Sequence, residues 1–306
     1  MERYKRFFNL ANMFYVVFLI IQLLPDRTKS SGEGLYAVLA VSAAELVLLF
    51  ITVVVNKNEA FTAAKDVFTL LFAALILWTL LTAKFNVIPQ DIFKAPGVII
   101  QQFIEDLPRL LSDLLSSMFI VVSGYILSLV TAIPIGLLLA WNARLGKAFG
   151  HAANFLGSIP PIVFIPYTLA LLPTFRSCSI FVIFITSFWP ILSGTMSGVQ
   201  NVENEIVDSA KVLNLSSTEI LFHVMLPASL PQIFDGCNIA LSLSFILLTS
   251  AEMIGGGSGI GFYIQYYANF GNFTRIMVGI IFLGIVVTVV TGLLRKLEMR
   301  FLKWKN

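Results

Sequence analysis

Charged side chains are scarce in this sequence. Asp, Glu, Lys and Arg make up 12% of the 306 residues, whereas 58% are hydrophobic; an ordinary soluble domain has about 25% charged residues. So few charges cannot cover the surface of a soluble protein of this length. The composition argues against a soluble enzyme and predicts an all-α fold, a polytopic helical membrane protein.

Cysteine and histidine are also rare. Cys178 and Cys237 stand in apolar surroundings without the spacing of a CxxC or Cys/His site, so neither a metal site nor a disulfide framework is expected. His151 and His223 are isolated, which favours interfacial roles over metal binding. The net charge of +3 is too small to indicate a nucleic-acid partner.

Nucleotide-binding and catalytic patterns are missing from the sequence. No G-x-x-x-x-G-K-[ST] loop occurs, and the glycine run at residues 255–261 lacks the register of G-x-G-x-x-G and a preceding strand. We therefore expect that this chain does not itself bind ATP. It also lacks a polar cluster suited to catalysis, which argues against a membrane-embedded enzyme.

Apolar runs of membrane-spanning length are abundant. Eight are predicted to be spans, at residues 7–24, 35–55, 67–83, 117–140, 151–172, 178–198, 234–254 and 275–294. The first follows basic residues, as in a signal peptide, but it exceeds the usual apolar region of about 7–15 residues and no cleavage site follows, which favours a retained helix. With the N-terminus placed inside, 13 of the 20 Lys and Arg residues are cytoplasmic and 7 lie outside. The positive-inside tendency thus predicts two cytoplasmic termini.

Two connections between spans are too long to be simple turns. Residues 84–116, on the outer side, contain an amphipathic stretch at 98–115 that is predicted to form one or two short helices along the membrane surface. Residues 199–233, on the inner side, are acidic, against the positive-inside tendency. A cytoplasmic loop of this charge suggests a protein partner.

The inner loop is predicted to contain two short amphipathic helices. Residues 204–213 form the first, with an apolar stripe at helical spacing, and Asn214 follows as a residue that tolerates the left-handed conformation. Ser216 and Glu219 have the spacing of a capping box that opens the second helix. The pair Leu226–Pro227, with Pro231, is predicted to end it.

This loop resembles the EAA loop of the membrane-spanning permease subunits of bacterial ABC importers. That motif reads Glu-Ala-Ala, three residues, Gly, nine residues, Ile, one residue, Leu-Pro. The matching positions here, without an insertion, are Asp208, Ser209, Ala210, Asn214, Val224, Leu226 and Pro227. Each replacement keeps charge, size, backbone permissiveness or apolar bulk.

Other segments are similar to one subgroup, the nitrate, sulfonate and taurine permeases. They are Lys94 to Ile99, Ile159 with Pro160 and Pro161, Trp189 to Leu192, Ala251 to Ile254 and the glycine run 255–261. The resemblance covers about residues 67–300. It predicts a permease core over residues 63–306, with the outer segment 84–116 and a coupling loop 199–233, after an added transmembrane hairpin at residues 1–62.

The resemblance implies a type I ABC importer permease in a bacterial plasma membrane. Such a subunit has no catalytic activity or cofactor of its own. It pairs with a second copy or a paralogous permease, receives substrate from an external binding protein, and is driven by two ATPase subunits that bind ATP and Mg²⁺. The implied substrate is a small, anionic solute such as nitrate, a sulfonate or taurine, with bicarbonate or a vitamin precursor left open. A self-contained secondary transporter is the alternative; beyond Glu45 and Glu252, the predicted spans lack the charges that ion coupling needs.

Candidate ATPase-coupling residues lie in the inner loop. The apolar contacts are predicted at Val207, Ala210, Leu213, Leu215 and Ile220, the polar rim at Glu205, Asp208, Lys211 and Glu219, and further motif positions are Ser209, Asn214, Leu226 and Pro227. The alternative is that the loop is a solvated connector.

Candidate pathway residues lie in the fourth to eighth predicted spans, which carry hydroxyls and broken-helix signals without Lys or Arg at mid-depth. The pathway set is Ser158, Pro160, Pro161, Pro166, Thr186, Ser187, Thr249 and Ser250, and the outer gate set is Glu252, Met253 and Ile254. Glu252 is also expected to hydrogen-bond the glycine run. The alternative for any one hydroxyl is close helix packing, and for Glu45 it is packing of the added hairpin.

Overall fold

A computed structural model describes residues 9–26, 33–54, 58–89 and 92–302. Across these ranges the chain is helical and contains no β-strand, which confirms the all-α class. The helices, numbered in chain order, are α1 (Leu10–Leu23), α2 (Glu33–Val54), α3 (Asn58–Thr79), α4 (Pro96–Trp141), α5 (Ala143–Gly157), α6 (Phe164–Leu171), α7 (Phe175–Gln200), α8 (Asn204–Val212), α9 (Leu226–Gly255), α10 (Ile260–Asn269) and α11 (Phe273–Phe301).

Each predicted span coincides with apolar helix. Among the described residues, six helices are long and apolar enough to cross a membrane: Gly34–Thr52, Thr62–Lys84, Pro96–Trp141, Phe175–Gln200, Ser217–Gly255 and Phe273–Phe301. A seventh candidate is the pair Ala148–Gly157 and Pro161–Leu171, bent by 67°. The helix α1 has 14 residues, about 21 Å at about 1.5 Å per residue, shorter than a bilayer core of about 30 Å. The predicted membrane class is confirmed, with six or seven of the eight spans meeting the length criterion. Residues 7, 8 and 55 of the predicted spans lie outside the described ranges.

The outer amphipathic stretch is not a separate surface helix, contrary to the prediction. It forms the first part of α4, which continues for 46 residues. Pro108 removes only one backbone donor, and Leu110 and Ser117 beyond it are buried. Packing of these residues within the chain supports the helix through the proline.

The described residues fall into two compact units, Met1–Arg109 with Tyr266–Ile280, and Leu110–Gln265 with Ile281–Asn306. In the first unit, α1, α2 and α3 share one hydrophobic core. Its buried members are Ala11, Phe18, Ile21, Ala37, Val41, Leu48, Phe72 and Ile76. The predicted boundary after residue 62 falls within α3 and stays a prediction.

Polar contacts also fix the first unit. Lys84 is buried at the end of the π-helical turn that extends α3, pairs with Asp26 Oδ1 at 2.7 Å, and donates to the Leu24 carbonyl. At the start of α11, Arg275 Nε donates to Asp106 Oδ2 at 2.8 Å. Polar residues of the amphipathic stretch therefore serve contacts within the chain.

In the second unit, glycines let α7 and α9 pack closely. A Cβ added at Gly236 would lie 2.6 Å from the Pro190 carbonyl oxygen, and one at Gly194 would lie 2.6 Å from that of Gln232. The core around this contact includes Ala132, Leu137, Ile191, Leu192, Met196, Ile233, Cys237 and Ala240. Since α7 and α9 carry half of the predicted pathway set and all of the outer gate set, this contact positions the candidate site.

Candidate functional site

The inner loop begins with the predicted helix. It spans Asn204–Val212, within one residue of the predicted end, and is α8. Asn214 has φ +55°, which confirms the predicted left-handed turn. The Ser216 amide donates to Glu219 Oε2 at 2.7 Å, and the Glu219 amide donates to Ser216 Oγ at 3.3 Å. The predicted capping box is therefore present.

The second predicted helix does not end at Leu226 and Pro227, which corrects the prediction. The turn Ser217–Glu219 continues through a π-helical segment, Ile220–Met225, into α9. A proline lacks a backbone donor and crowds the preceding turn. The wider π-helical turn relieves that crowding, so the chain remains helical from Ser217 to Gly255.

The apolar residues of the loop divide into an inner and an outer group. Ala210 is 5% exposed and Ile220 is 3% exposed, because α8 packs against the segment Ile220–Met225. These two predicted partner contacts are therefore covered by the chain itself. Val212, which was not predicted, is 81% exposed and Leu213 is 74% exposed.

Among the other predicted loop residues, Val207 and Leu215 are half-buried. The polar rim is exposed at Glu205, Asp208, Lys211 and Glu219, and so is the motif residue Ser209. Lys211 Nζ pairs with Asp208 Oδ1 at 2.8 Å; an exposed pair of this kind contributes little to stability. The arrangement leaves an apolar turn at Val212 and Leu213 beside an acidic face.

A cavity of about 580 Å³ lies at the break between α5 and α6. Five predicted pathway residues line it: Ser158, Pro160, Pro161, Thr186 and Ser250. Its other lining residues are Ala153, Gly157, Ile159, Ile162, Trp189, Pro190, Ser193, Leu243, Ile246 and Leu247. Within the described part of the chain, its lining contains no charged side chain.

The prolines create this cavity. Pro160 is extended and Pro161 begins a 3₁₀ turn, Pro161–Val163, that leads into α6. Proline cannot continue the hydrogen bonding of α5, and the two helical segments diverge by 67°. Residues 157–162 of the break all line the cavity, and irregular backbone at membrane depth is tolerated where it lines a cavity.

A second, smaller cavity of about 260 Å³ shares Ala153 and Ser193 with the first. It is more polar, and its further lining residues are Gly146, Gly150, His151, Met196, Ser197 and Gln200. Thr186, Ser193, Ser197 and Gln200 are spaced by seven, four and three residues on α7. This spacing places them on one face of the helix, so one polar face of α7 contributes to both cavities.

Several predicted pathway residues lie outside the cavity lining. Ser187 is buried and its hydroxyl lies 2.7 Å from Ser244 Oγ. Thr249 donates to the Phe245 carbonyl at 2.8 Å. Neither hydroxyl lines the first cavity, and the pathway role of both stays a prediction. Pro166 is exposed on α6.

The predicted gate residues lie in the last turn of α9. Met253 and Ile254 are exposed, whereas Glu252 is buried. Glu252 accepts from Ser117 Oγ at 2.7 Å and from the Gly261 amide at 2.8 Å. Its predicted hydrogen bond to the glycine run is confirmed.

Sequence reasoning missed several lining residues although signals for them existed. Trp189 and Pro190 belong to a segment that resembles the nitrate, sulfonate and taurine permeases. The apolar lining residues of α9 gave no signal, because Leu and Ile are equally common toward lipid.

A family model described as "Binding-protein-dependent transport system inner membrane component" matches residues 132–303, more than half of the chain. The nitrate import permease protein NrtB of Leptolyngbya laminosa is 36% identical over 170 residues, which are 56% of this chain and 61% of that protein. The bicarbonate transport system permease protein CmpB of Synechocystis is 35% identical over 175 residues, 56% of this chain and 62% of that protein. The chain thus spans about three fifths of the length of these relatives.

The fold is also found in a solved structure. The MetNI methionine ABC transporter, in an inward-facing conformation, contains a chain with a TM-score of 0.56 and 18% identity, covering 64% of this chain and 98% of that one. At this identity the likeness shows the fold alone, and it confirms the predicted type I permease fold. With the family match over residues 132–303, this chain belongs to the family of binding-protein-dependent transport system inner membrane components.

Proposed function

We propose that this chain is the non-catalytic permease subunit of an ATP-driven ABC importer. The observation that carries the proposal is the exposed apolar turn Val212–Leu213, which the left-handed Asn214 ends. This turn lies within the segment that resembles the EAA loop. In ABC importers, the ATPase subunits bind that loop. A connector without a partner gains nothing from exposing two large apolar side chains next to each other in water.

The proposed assembly has two permeases, two ATPase subunits and an external binding protein. The second permease is another copy or a paralogue. ATP and Mg²⁺ bind to the ATPase subunits, and this chain holds no cofactor. The complex lies in a bacterial plasma membrane with both termini of this chain in the cytoplasm, as the distribution of Lys and Arg suggests.

The loop suits the transmission of motion between the ATPase and the membrane. The buried side chains of Ala210 and Ile220 hold α8 against the segment that follows it. That segment continues as helix from Ser217 to Gly255, about 58 Å at about 1.5 Å per residue. A displacement of α8 would therefore move α9, which lines the first cavity and carries the outer gate.

The acidic face predicts the chemistry of the ATPase surface. Glu205 and Asp208 are exposed beside the apolar turn. A complementary groove would have an apolar centre for Leu213 and basic residues at its rim, because buried apolar anchors supply affinity and rim charges supply orientation.

The proposed substrate is a small oxyanion, nitrate or bicarbonate. The names of the two permeases compared above support this class. Ser158, Thr186 and Ser250 line the first cavity. Thr186 and Ser250 donate to the carbonyls of Val182 and Ile246 in their own helices, so each must give up that bond to donate to an anion. Such hydroxyls can bind an anion weakly enough to release it, as conduction requires. Sulfonates and taurine remain within the proposed class.

Reconstitution of the whole complex tests the proposal. Vesicles that contain the chain, its ATPase and its binding protein should take up nitrate or bicarbonate only with ATP. Leu213→Asp should reduce ATPase co-purification about tenfold or more, because it places a charge at an apolar anchor, and uptake should fall with it.

Thr218→Asp is the matched control for this experiment. It adds the same charge at an exposed position outside the candidate coupling residues, and it should leave assembly and uptake unchanged. ATPase binding that withstands Leu213→Asp would count against coupling at this turn. Uptake of either anion without an ATPase would contradict the importer mechanism.

A further inference from the structure

Three successive backbone amides at the start of α10 are bound by side chains from elsewhere in the second unit. The donors and acceptors are Gly259 to Asp113 Oδ1 at 3.1 Å, Ile260 to Ser117 Oγ at 3.0 Å, and Gly261 to Glu252 Oε2 at 2.8 Å. A helix leaves its first amides without intrahelical acceptors. Here α4 and α9 supply the acceptors, so the start of α10 is capped by tertiary contacts.

Ser117 joins the three segments into one network. Its hydroxyl accepts from the Ile260 amide and donates to Glu252 Oε1 at 2.7 Å. Ser117 and Glu252 are each 1% exposed. Hydrogen bonds that are shielded from water and involve a carboxylate are strong ones. We call Asp113, Ser117 and Glu252, with the three amides that they bind, the outer latch.

The backbone at Gly259 is shaped for this network. Its φ is +111°, and a Cβ added there would lie 2.2 Å from Glu252 Oε1. Only glycine permits that approach and that conformation. The loop is therefore built to bring its amides against the carboxylate.

The outer latch lies directly beside the predicted gate. Glu252 precedes Met253 and Ile254 in the last turn of α9, and the helix ends at Gly255. The two gate side chains are exposed. Any movement of this turn must also move the Glu252 carboxylate against Ser117 and the loop.

We propose that the outer latch holds the end of α9 in the closed arrangement of the outer gate, and that its hydrogen bonds break when the gate opens. Ser117 and Glu252 are then positioning residues, which act through the loop and through Met253 and Ile254. The gating role rests on the proposed function, whereas the hydrogen bonds of the outer latch can be tested without any substrate.

Ser117→Ala tests the latch in the purified full-length chain, because it removes the hydroxyl that makes two of the bonds. Deuterium exchange at the amides of residues 260 and 261 should become about tenfold faster. A spin label on Gly257→Cys should become more mobile; a Cβ at Gly257 meets no atom within 4 Å, and native Cys178 and Cys237 are buried.

Two further variants calibrate the result. Glu252→Gln keeps one acceptor oxygen, so it should accelerate deuterium exchange at residues 260 and 261 less than Ser117→Ala does. Ser242→Ala is the matched control, because this exposed hydroxyl on α9 donates to the Asn238 carbonyl of its own helix. Exchange in Ser117→Ala that equals exchange in Ser242→Ala would overturn the latch.

The assembled complex tests the link to gating. Ser117→Ala should raise ATP turnover without binding protein and so lower the fold-stimulation that binding protein gives. A merely structural defect would reduce both rates together, and that result, like unchanged stimulation, would overturn the gating role. If binding protein fails to stimulate the unmodified complex, the proposed function fails, while the exchange measurement still decides whether the latch exists.

Discussion

Single glycines determine how closely α7 and α9 approach each other. We expect Gly236→Ala to destabilise the chain by about 1–3 kcal/mol, a typical cost of overpacking a close contact. The reason is the 2.6 Å distance between an added Cβ and the Pro190 carbonyl oxygen, since backbone on both sides would have to move. Thermal unfolding of the purified chain in detergent measures the effect.

Gly284→Ala is the control for this substitution. Gly284 also lies within a helix, α11, and a Cβ there meets no atom within 4 Å. The exchange should leave the unfolding midpoint unchanged or raise it slightly, because alanine favours helix over glycine. Equal midpoints for the two variants would contradict the packing described for α7 and α9.

The conformations of single residues in the inner loop could be predicted where they depend only on neighbouring residues in the sequence. The left-handed Asn214 and the capping box of Ser216 and Glu219 depend on a few neighbouring residues, and both are present. The burial of Ala210 could not be read from periodicity, because a helical stripe does not reveal whether it faces a partner or its own chain. That choice depends on tertiary packing against the π-helical segment after α8.

At the scale of elements, the turn after α8 is the part of the loop that most depends on backbone conformation. Asn214→Gly should preserve ATPase binding, because glycine adopts positive φ freely. Asn214→Val should reduce binding by about fivefold or more, since a β-branched residue in this conformation costs about 1–2 kcal/mol. Co-purification of the ATPase with each variant measures the difference, and equal recovery would show that the turn need not be left-handed.

Helix ends were harder to predict than helices. The pair Leu226–Pro227 is a normal stop signal, yet the helix passes through it after the wider turn Ile220–Met225. The helix α4 likewise continues through Pro108, because buried residues on both sides of this proline stabilise it. A proline specifies a local cost, and whether the helix ends there depends on the contacts that offset this cost.

For the molecule as a whole, the cavity combines three segments that lie far apart in the sequence. They are residues 153–162, 186–193 and 243–250. Proline and hydroxyl residues marked the first two, because broken helices and polar groups are unusual at membrane depth. The third contributes mostly apolar side chains, and only the packing of α7 against α9 identifies which of them face the cavity.

Membrane topology provides the prediction that concerns the whole chain. Thr218 and Gly257 stand at opposite ends of the continuous helix Ser217–Gly255, Thr218 within its first turn and Gly257 just beyond its end. If both termini are cytoplasmic, these two positions lie on opposite sides of the membrane. A membrane-impermeant maleimide should then reach a single cysteine at only one of them in intact cells. Gly257→Cys should be labelled in intact cells, and Thr218→Cys only after permeabilisation. The unsubstituted chain is the control, because its two cysteines are buried. Labelling of both sites in intact cells would contradict the prediction that the helix Ser217–Gly255 crosses the membrane. Labelling of Thr218→Cys alone in intact cells would invert the proposed orientation. The exposed turn Val212–Leu213 would then lie outside the cell, where no ATPase could bind it.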